Sequence, residues 1–177
     1  MPKPTTLSAA HRPRPRGPAT SRSRSTGDLV ETTAIREVGR RCACFNLRRA
    51  TRAVTQLYDD FLRPANLRAT QFSLLGVIQG MGPVSISVLA DAAVMDRTTL
   101  KRNLELLERE GLVRIRPGED ARVREVALTN AAHERLAAAF PLWERAQAHV
   151  AGRLGPARTD RFLSDLSAAV AATHGER

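Results

Sequence analysis

The chain has 177 residues, with 28 Lys and Arg against 18 Asp and Glu and a formal net charge of +10. It is long enough to bury one real core and basic enough to meet nucleic acid, an anionic surface or an acidic substrate. Aromatic residues make up only 4%, so the core must rest on Leu, Val, Ile and Ala, and no run of about 18 apolar residues offers a membrane span.

The charge is uneven. Residues 1–41 hold nine bases and three acids, whereas residues 42–177 hold nineteen and fifteen. The stretch HRPRPRGPATSRSRSTG (His11–Gly27) is rich in Pro, Arg and Ser and poor in large apolar residues. It cannot offset the entropy of ordering, so residues 1–38 read as a disordered basic tail and 39–177 as one folded domain. The tail is a solvated extension, an arm that touches DNA phosphates, or a transit-type leader. It has no apolar core of a secretory signal.

From Cys42 to Leu62 the apolar residues Leu47, Ala50, Val54, Leu57 and Phe61 recur at spacings of three and four, which predicts an amphipathic helix that Pro64 ends. Thr70 is the expected N-cap of a helix through QFSLLGVIQG, stopped at Gly80–Gly82–Pro83, and Ser87 that of a short helix through Ala93. Asp96 caps the next helix, which Gly111 closes. LVRIRPGEDARVREVALT then alternates around Pro117–Gly118 and predicts a β-hairpin with a basic tip. Thr129 opens a long helix with Leu136, Phe140, Trp143, Val150 and Leu154 on one stripe. A last helix after Gly155–Pro156 carries Phe162, Leu163, Leu166 and Val170. The expected fold is mainly α with a small β-wing: a winged helix-turn-helix with helical segments on both flanks.

The helix DRTTLKRNLELLEREG (Asp96–Gly111) carries Arg97, Lys101 and Arg102 near its start and Glu105, Glu108 and Glu110 near its end. The macrodipole favours the reverse order, and each misplaced exposed charge costs about 0.3–1 kcal/mol. At about 100° per residue, Arg97, Thr98, Lys101 and Arg102 share a face away from Leu100, Leu104 and Leu107. The second helix of a helix-turn-helix presents this end to the DNA major groove, where backbone N–H groups, dipole and cations all favour a polyanion. An ordinary solvated charged face explains the helix alone equally well. The hairpin that follows, with Arg114, Arg116, Arg122 and Arg124, adds a tip suited to a narrow minor groove.

These residues are similar to the MarR family of bacterial transcription regulators, from about Cys42 to Val170. MDRTTLKRNLELLEREGLVRI resembles the family's recognition helix and first wing strand. EDARVREVALT resembles its wing signature through Asp120, Arg122, Leu128 and Thr129, with Ala132 where a Gly is usual. LRATQFSLL and PLWERAQ resemble stretches of one branch. The resemblance implies a homodimer joined through its first and last two helices (about 42–63 and 130–173), with a DNA-binding lobe at about 66–129. Arg97, Thr98, Thr99, Lys101 and Arg102 would face the major groove, and Arg122, oriented by Asp120, the minor groove. Recognition helices about 34–36 Å apart across a twofold axis imply an inverted-repeat operator. The flanking apolar stripes serve such a dimer or simply complete the core. A small aromatic inducer would bind between lobe and dimer helices, where Phe72 and Trp143 line the pocket or are plain core.

Cys42 and Cys44, with a C-x-C spacing beside Arg40 and Arg41, form no disulfide framework, and a reducing cytoplasm is expected. Helix N-termini and adjacent cations favour the reactive thiolate. CACFNL resembles the start of the family's organic-hydroperoxide-sensing branch, with Cys44–Phe45 at the reactive pair and Tyr58 at the supporting Tyr fourteen residues on. The branch's second Tyr is here Arg48. Fourteen helical residues span about 21 Å, so Tyr58 would reach Cys44 only from a partner chain. The cysteines are redox sensors or small, semi-buried packing residues. Residues two apart on a helix diverge, and His133 and His149 lack ligand spacing, so no metal or cofactor is expected. Without a phosphate loop, nucleophile elbow or His-Glu motif, an enzyme is not expected. Asp59 and Asp60 diverge by about 100° and read as solubilising charges. The expected function is a sequence-specific regulator of double-stranded DNA, a repressor released by a small molecule or an oxidant. The alternatives are peroxide sensing at Cys44 and non-specific DNA binding by charge alone.

Overall fold

A computed structural model of the chain describes residues 34–37 and 39–174. The chain divides into two units, 1–46 and 47–177. The expected disordered tail lies outside the described residues up to position 33. Residues 34–37, inside the segment read as tail, are helical, as are 39–41.

The elements in order are α1 (Ala43–Leu62), a 3-10 turn (Arg63–Ala65), α2 (Ala69–Met81), β1 (Val84–Ser85), α3 (Ile86–Ala92), α4 (Arg97–Arg109), β2 (Val113–Pro117), β3 (Arg124–Leu128), α5 (Asn130–Leu154) and α6 (Pro156–His174). The fold is mainly helical with one antiparallel sheet of order β1-β3-β2, a winged helix-turn-helix. β2 and β3 form the expected hairpin, in register from Val113↔Leu128 to Pro117↔Arg124. β1 was not legible in the sequence. Two residues beside Pro83 carry no alternation, and only the pairing Val84↔Val126 makes them a strand.

The core is aliphatic. Leu62, Leu75, Ile78, Leu89, Leu100, Leu104, Leu107, Leu112 and Val126 are all but sealed from solvent. On α4 the three buried leucines contribute about 1.5–3 kcal/mol each. Three cations near the wrong end of the dipole cost about 0.3–1 kcal/mol each. Packing therefore holds the helix in place against its own charge pattern.

Two expected caps shift. Thr70 lies inside α2, whose N-cap is Arg68. Arg has no acceptor, so neighbours satisfy this helix start: Gln71 Oε1 accepts the Arg68 N–H at 2.8 Å and Asp59 Oδ1 accepts the Ala69 N–H at 2.7 Å. Asp59, also paired with Arg68 at 3.2 Å, is thus a cap rather than a solubilising charge. Ser85, not Ser87, caps α3 by accepting the Val88 N–H; the two hydroxyls lie 3.1 Å apart. Asp96 and Thr129 cap α4 and α5 as expected. On α5 the buried positions are Ala132, Leu136, Ala139 and Ala146, with Trp143 half-buried, whereas Phe140 is 51% exposed. The stripe that packs inward thus combines three alanines with Leu136.

α3 and α4 end in the same hydrogen-bonded motif. After α4, Gly111 N–H reaches Glu108 O and Leu112 N–H reaches Leu107 O, with Gly111 at φ +71°. After α3, Val94 N–H reaches Asp91 O and Met95 N–H reaches Ala90 O, with Val94 at φ +52°. Both are Schellman ends, which favour Gly at the left-handed position. A β-branched residue there is strained. Val94→Gly relieves that strain and, after Gly's extra unfolded-state entropy, should stabilise the fold by about 1 kcal/mol. An unchanged or lowered urea midpoint would contradict this.

Candidate nucleic-acid interface

The turn between α3 and α4 sets the entry of α4. Asp96 Oδ1 accepts the Thr99 N–H at 2.8 Å and Oδ2 accepts the Thr99 hydroxyl at 2.5 Å. These bonds, the side-chain one foremost, hold the Asp96 carboxyl below the usual carboxylate range. Its capping contribution is therefore fully present above the ordinary Asp value and is lost only as pH falls through the depressed folded value. The Thr99 proton is committed to this cap, so Thr99 offers a ligand acceptor lone pairs only.

Arg97, Thr98, Thr99, Lys101 and Arg102 are all exposed. No acid stands in the first turn of α4. Lys101 Nζ lies 3.9 Å from Glu105, and among the described residues neither Arg97 nor Arg102 has a carboxylate within ion-pairing distance. The acids at the far end are engaged elsewhere. Glu108 Oε1 accepts the Ile115 N–H of β2 at 3.2 Å. Glu110 accepts from Gln71 Nε2 at 3.1 Å and faces Arg135 Nη1 at 3.8 Å. Sequence reasoning missed these partners. The available signal was the place of both acids at the negative end of the dipole, where a carboxylate needs donors.

The wing carries Arg114, Arg116, Arg122 and Arg124, all exposed. Arg124 Nη2 reaches the Ile115 carbonyl at 3.5 Å. Asp120 Oδ1 accepts the backbone N–H of Arg122 at 2.9 Å, and Val123 N–H donates to Asp120 O. The carboxylate thus fixes the main chain that carries Arg122 and leaves the guanidinium free of it. A Cβ at Gly118 would stand 2.8 Å from Glu125 Oε1, the end of a flexible side chain that can swing aside. A groove of about 780 Å³ runs beside the wing, lined among others by Glu108, Arg114, Arg116, Glu125 and Thr129. Its mixed charge makes it a poor phosphate cradle.

The other candidate residues lie apart from this face. Phe72 and Trp143 stack with centroids 6.2 Å apart, Phe140 adds a ring 5.4 Å from Trp143, and Phe72 and Trp143 pack against the core. They do not line the apolar cavity of about 520 Å³ formed by Val54, Leu57, Val150, Leu154 and Phe162 with His149, Arg153 and Arg158. The Tyr58 hydroxyl donates to Gln147 Oε1 on α5, and burial pushes it above the ordinary phenol range. Cys44 is exposed, whereas Cys42 is half-buried and its Sγ accepts the Phe45 N–H at 3.5 Å. Among the described residues no three His, Cys, Asp or Glu side chains gather to hold a metal, and no helix is long and apolar enough to cross a membrane.

The profile described as the MarR family matches residues 65–123, from the end of the 3-10 turn through the wing loop. The transcriptional regulator MosR of M. tuberculosis, solved in complex with DNA, is 43% identical, with a TM-score of 0.66 over 74% of this chain and 97% of its own. MarR of E. coli, a mutant form solved with operator DNA, shares the fold at a TM-score of 0.68 and 20% identity, over 78% of this chain and 96% of its own. YwoH of Bacillus subtilis, an uncharacterized HTH-type transcriptional regulator, is 27% identical over 89 residues, which span 50% of this chain and 65% of that protein. With a relative this similar matched over 97% of its own length, the protein belongs to the MarR family of transcriptional regulators.

Proposed function

We propose that the protein acts as a homodimeric repressor on an inverted-repeat DNA operator, released by a small-molecule or oxidant signal. The observation that carries this reading is the set of exposed cations Arg97, Lys101 and Arg102 on the positive end of a helix, with Lys101 alone facing a carboxylate among the described residues. Duplex phosphates would neutralise them, and the same helix end would bring Thr98 and the Arg side chains to base edges. Arg122, on a loop held by Asp120, suits the adjacent minor groove. The MosR relative was solved bound to DNA, which supports the same role here.

A dimer is supported by what one chain leaves uncovered. Leu47 and Val54 on α1 and Phe162, Leu163 and Val170 on α6 are exposed, and the apolar cavity opens among α1, α5 and α6. A twofold partner would bury this surface and set the half-site spacing.

Cys44 supports a second reading. Its thiol is exposed near the start of α1, open to an organic hydroperoxide. The thiolate would take the terminal peroxide oxygen to become a sulfenate, and the alcohol would leave.

The test of the main reading is a duplex selected from a random-sequence pool by the wild-type chain. Against a scrambled duplex at the same salt, the selected one should bind at least about 10³-fold more tightly. Arg122→Ala should weaken binding to it by about 1–3 kcal/mol with the fold intact. Equal affinity for both duplexes would leave only non-specific binding by charge. For the thiol reading, cumene hydroperoxide should abolish binding in the wild type and not in Cys44→Ser. Unchanged wild-type binding rules that reading out.

A further inference from the structure

Glu110 occupies a place that local physics disfavours. It is the C-cap of α4, where a carboxylate meets the negative end of the helix dipole. The chain answers it with two donors from different helices. Gln71 on α2 points Nε2 at both carboxylate oxygens, at 3.2 and 3.1 Å, while its Oε1 caps the start of α2 through the Arg68 N–H. Arg135, one and a half turns into α5, brings Nη1 to 3.8 Å, with both side chains one-third exposed. One carboxylate thus joins the recognition helix to the helix beneath it and to the long helix that leads toward the proposed dimer surface.

We infer that Glu110 is a positioning residue for DNA reading: with Gln71 and Arg135 it clamps the C-terminal end of α4 and so sets the angle at which its basic N-terminal end meets a duplex. This rests on the DNA-binding reading above. α4 is a rod of thirteen residues, about 20 Å long. A small rotation at the clamped end becomes a larger displacement at Arg97. The buried leucines fix which face of α4 points inward, and the polar contacts at Glu110 add a directional tie at one end of the rod. Half-exposed ion pairs add little to stability, so removing this one should leave the fold largely unchanged and act instead on geometry. Non-specific binding, which needs only charge near phosphate, should be insensitive to the angle. Sequence-specific binding, which needs atoms aligned with base edges, should not be.

The experiment uses the full chain, the duplex selected by the wild type and its scrambled counterpart, at one salt concentration. Glu110→Ala and Arg135→Ala should each lower the ratio of selected to scrambled affinity by about tenfold, with the scrambled affinity and the thermal midpoint nearly unchanged. The double variant should be no worse than Glu110→Ala, since both delete the same ion pair. Glu110→Gln, which keeps an oxygen for both donors, should retain most of the discrimination. A ratio within twofold of wild type in Glu110→Ala overturns the inference, as does full additivity of the two alanine variants. A wild-type chain with no preference between duplexes would instead refute the DNA-reading proposal on which the inference stands.

Discussion

A helix that carries three of its four cations toward its own positive end is the constraint on which the rest of this structure turns. Arg97, Lys101 and Arg102 oppose the dipole of α4 at one end, and Glu105, Glu108 and Glu110 oppose it at the other. Neither end would choose this arrangement in isolation. Leu100, Leu104 and Leu107 outweigh it by burial, which is why the helix forms at all. The two ends then differ in how they are compensated. The acids are answered within the protein: Glu108 by the Ile115 N–H, Glu110 by Gln71 and Arg135. Arg97 and Arg102 have no such answer among the described residues, and a polyanion is the natural complement.

The surrounding elements hold that end in a fixed setting. Asp96 orders the first turn of α4 and ties up the Thr99 hydroxyl. Glu108 links α4 to the wing strand, so the two elements proposed to read adjacent grooves share a hydrogen bond. In the wing loop, Asp120 shapes the backbone, and Arg122 projects from it with an unpaired guanidinium among the described residues. Asp96, Glu108 and Asp120 thus order the chain around this face, while Glu105 stands beside Lys101.

Elements with a strong local signal were legible in the sequence: the α4 leucine stripe, the Asp96 and Thr129 caps, Gly111 and the hairpin around Pro117–Gly118. Their determinants lie within a few residues of one another. What escaped the sequence depended on partners across the fold. Asp59 caps a helix ten residues away in sequence, and Glu110 meets Gln71 and Arg135 on two other helices. β1 exists only because β3 lies beside it. Val94 takes a left-handed conformation that sequence rules assign to Gly, because the Schellman end of α3 demands it. On α5 the expected stripe holds at Leu136 and Trp143, but Phe140 is exposed and Ala132, Ala139 and Ala146 are buried. The face of α4 that bears Arg97, Lys101 and Arg102 was readable from helical spacing; that neither Arg97 nor Arg102 meets a carboxylate among the described residues was not.

The most direct measurement is the salt dependence of binding to the selected duplex, in the wild type and in a variant with Arg97, Lys101 and Arg102 all changed to Gln. If phosphates complete the charge pattern of α4, the logarithm of affinity falls steeply with the logarithm of salt, and the variant's slope is shallower by about one unit for each phosphate that its side chains no longer neutralise. Equal slopes for the two proteins, or a wild-type affinity indifferent to salt, would contradict the account.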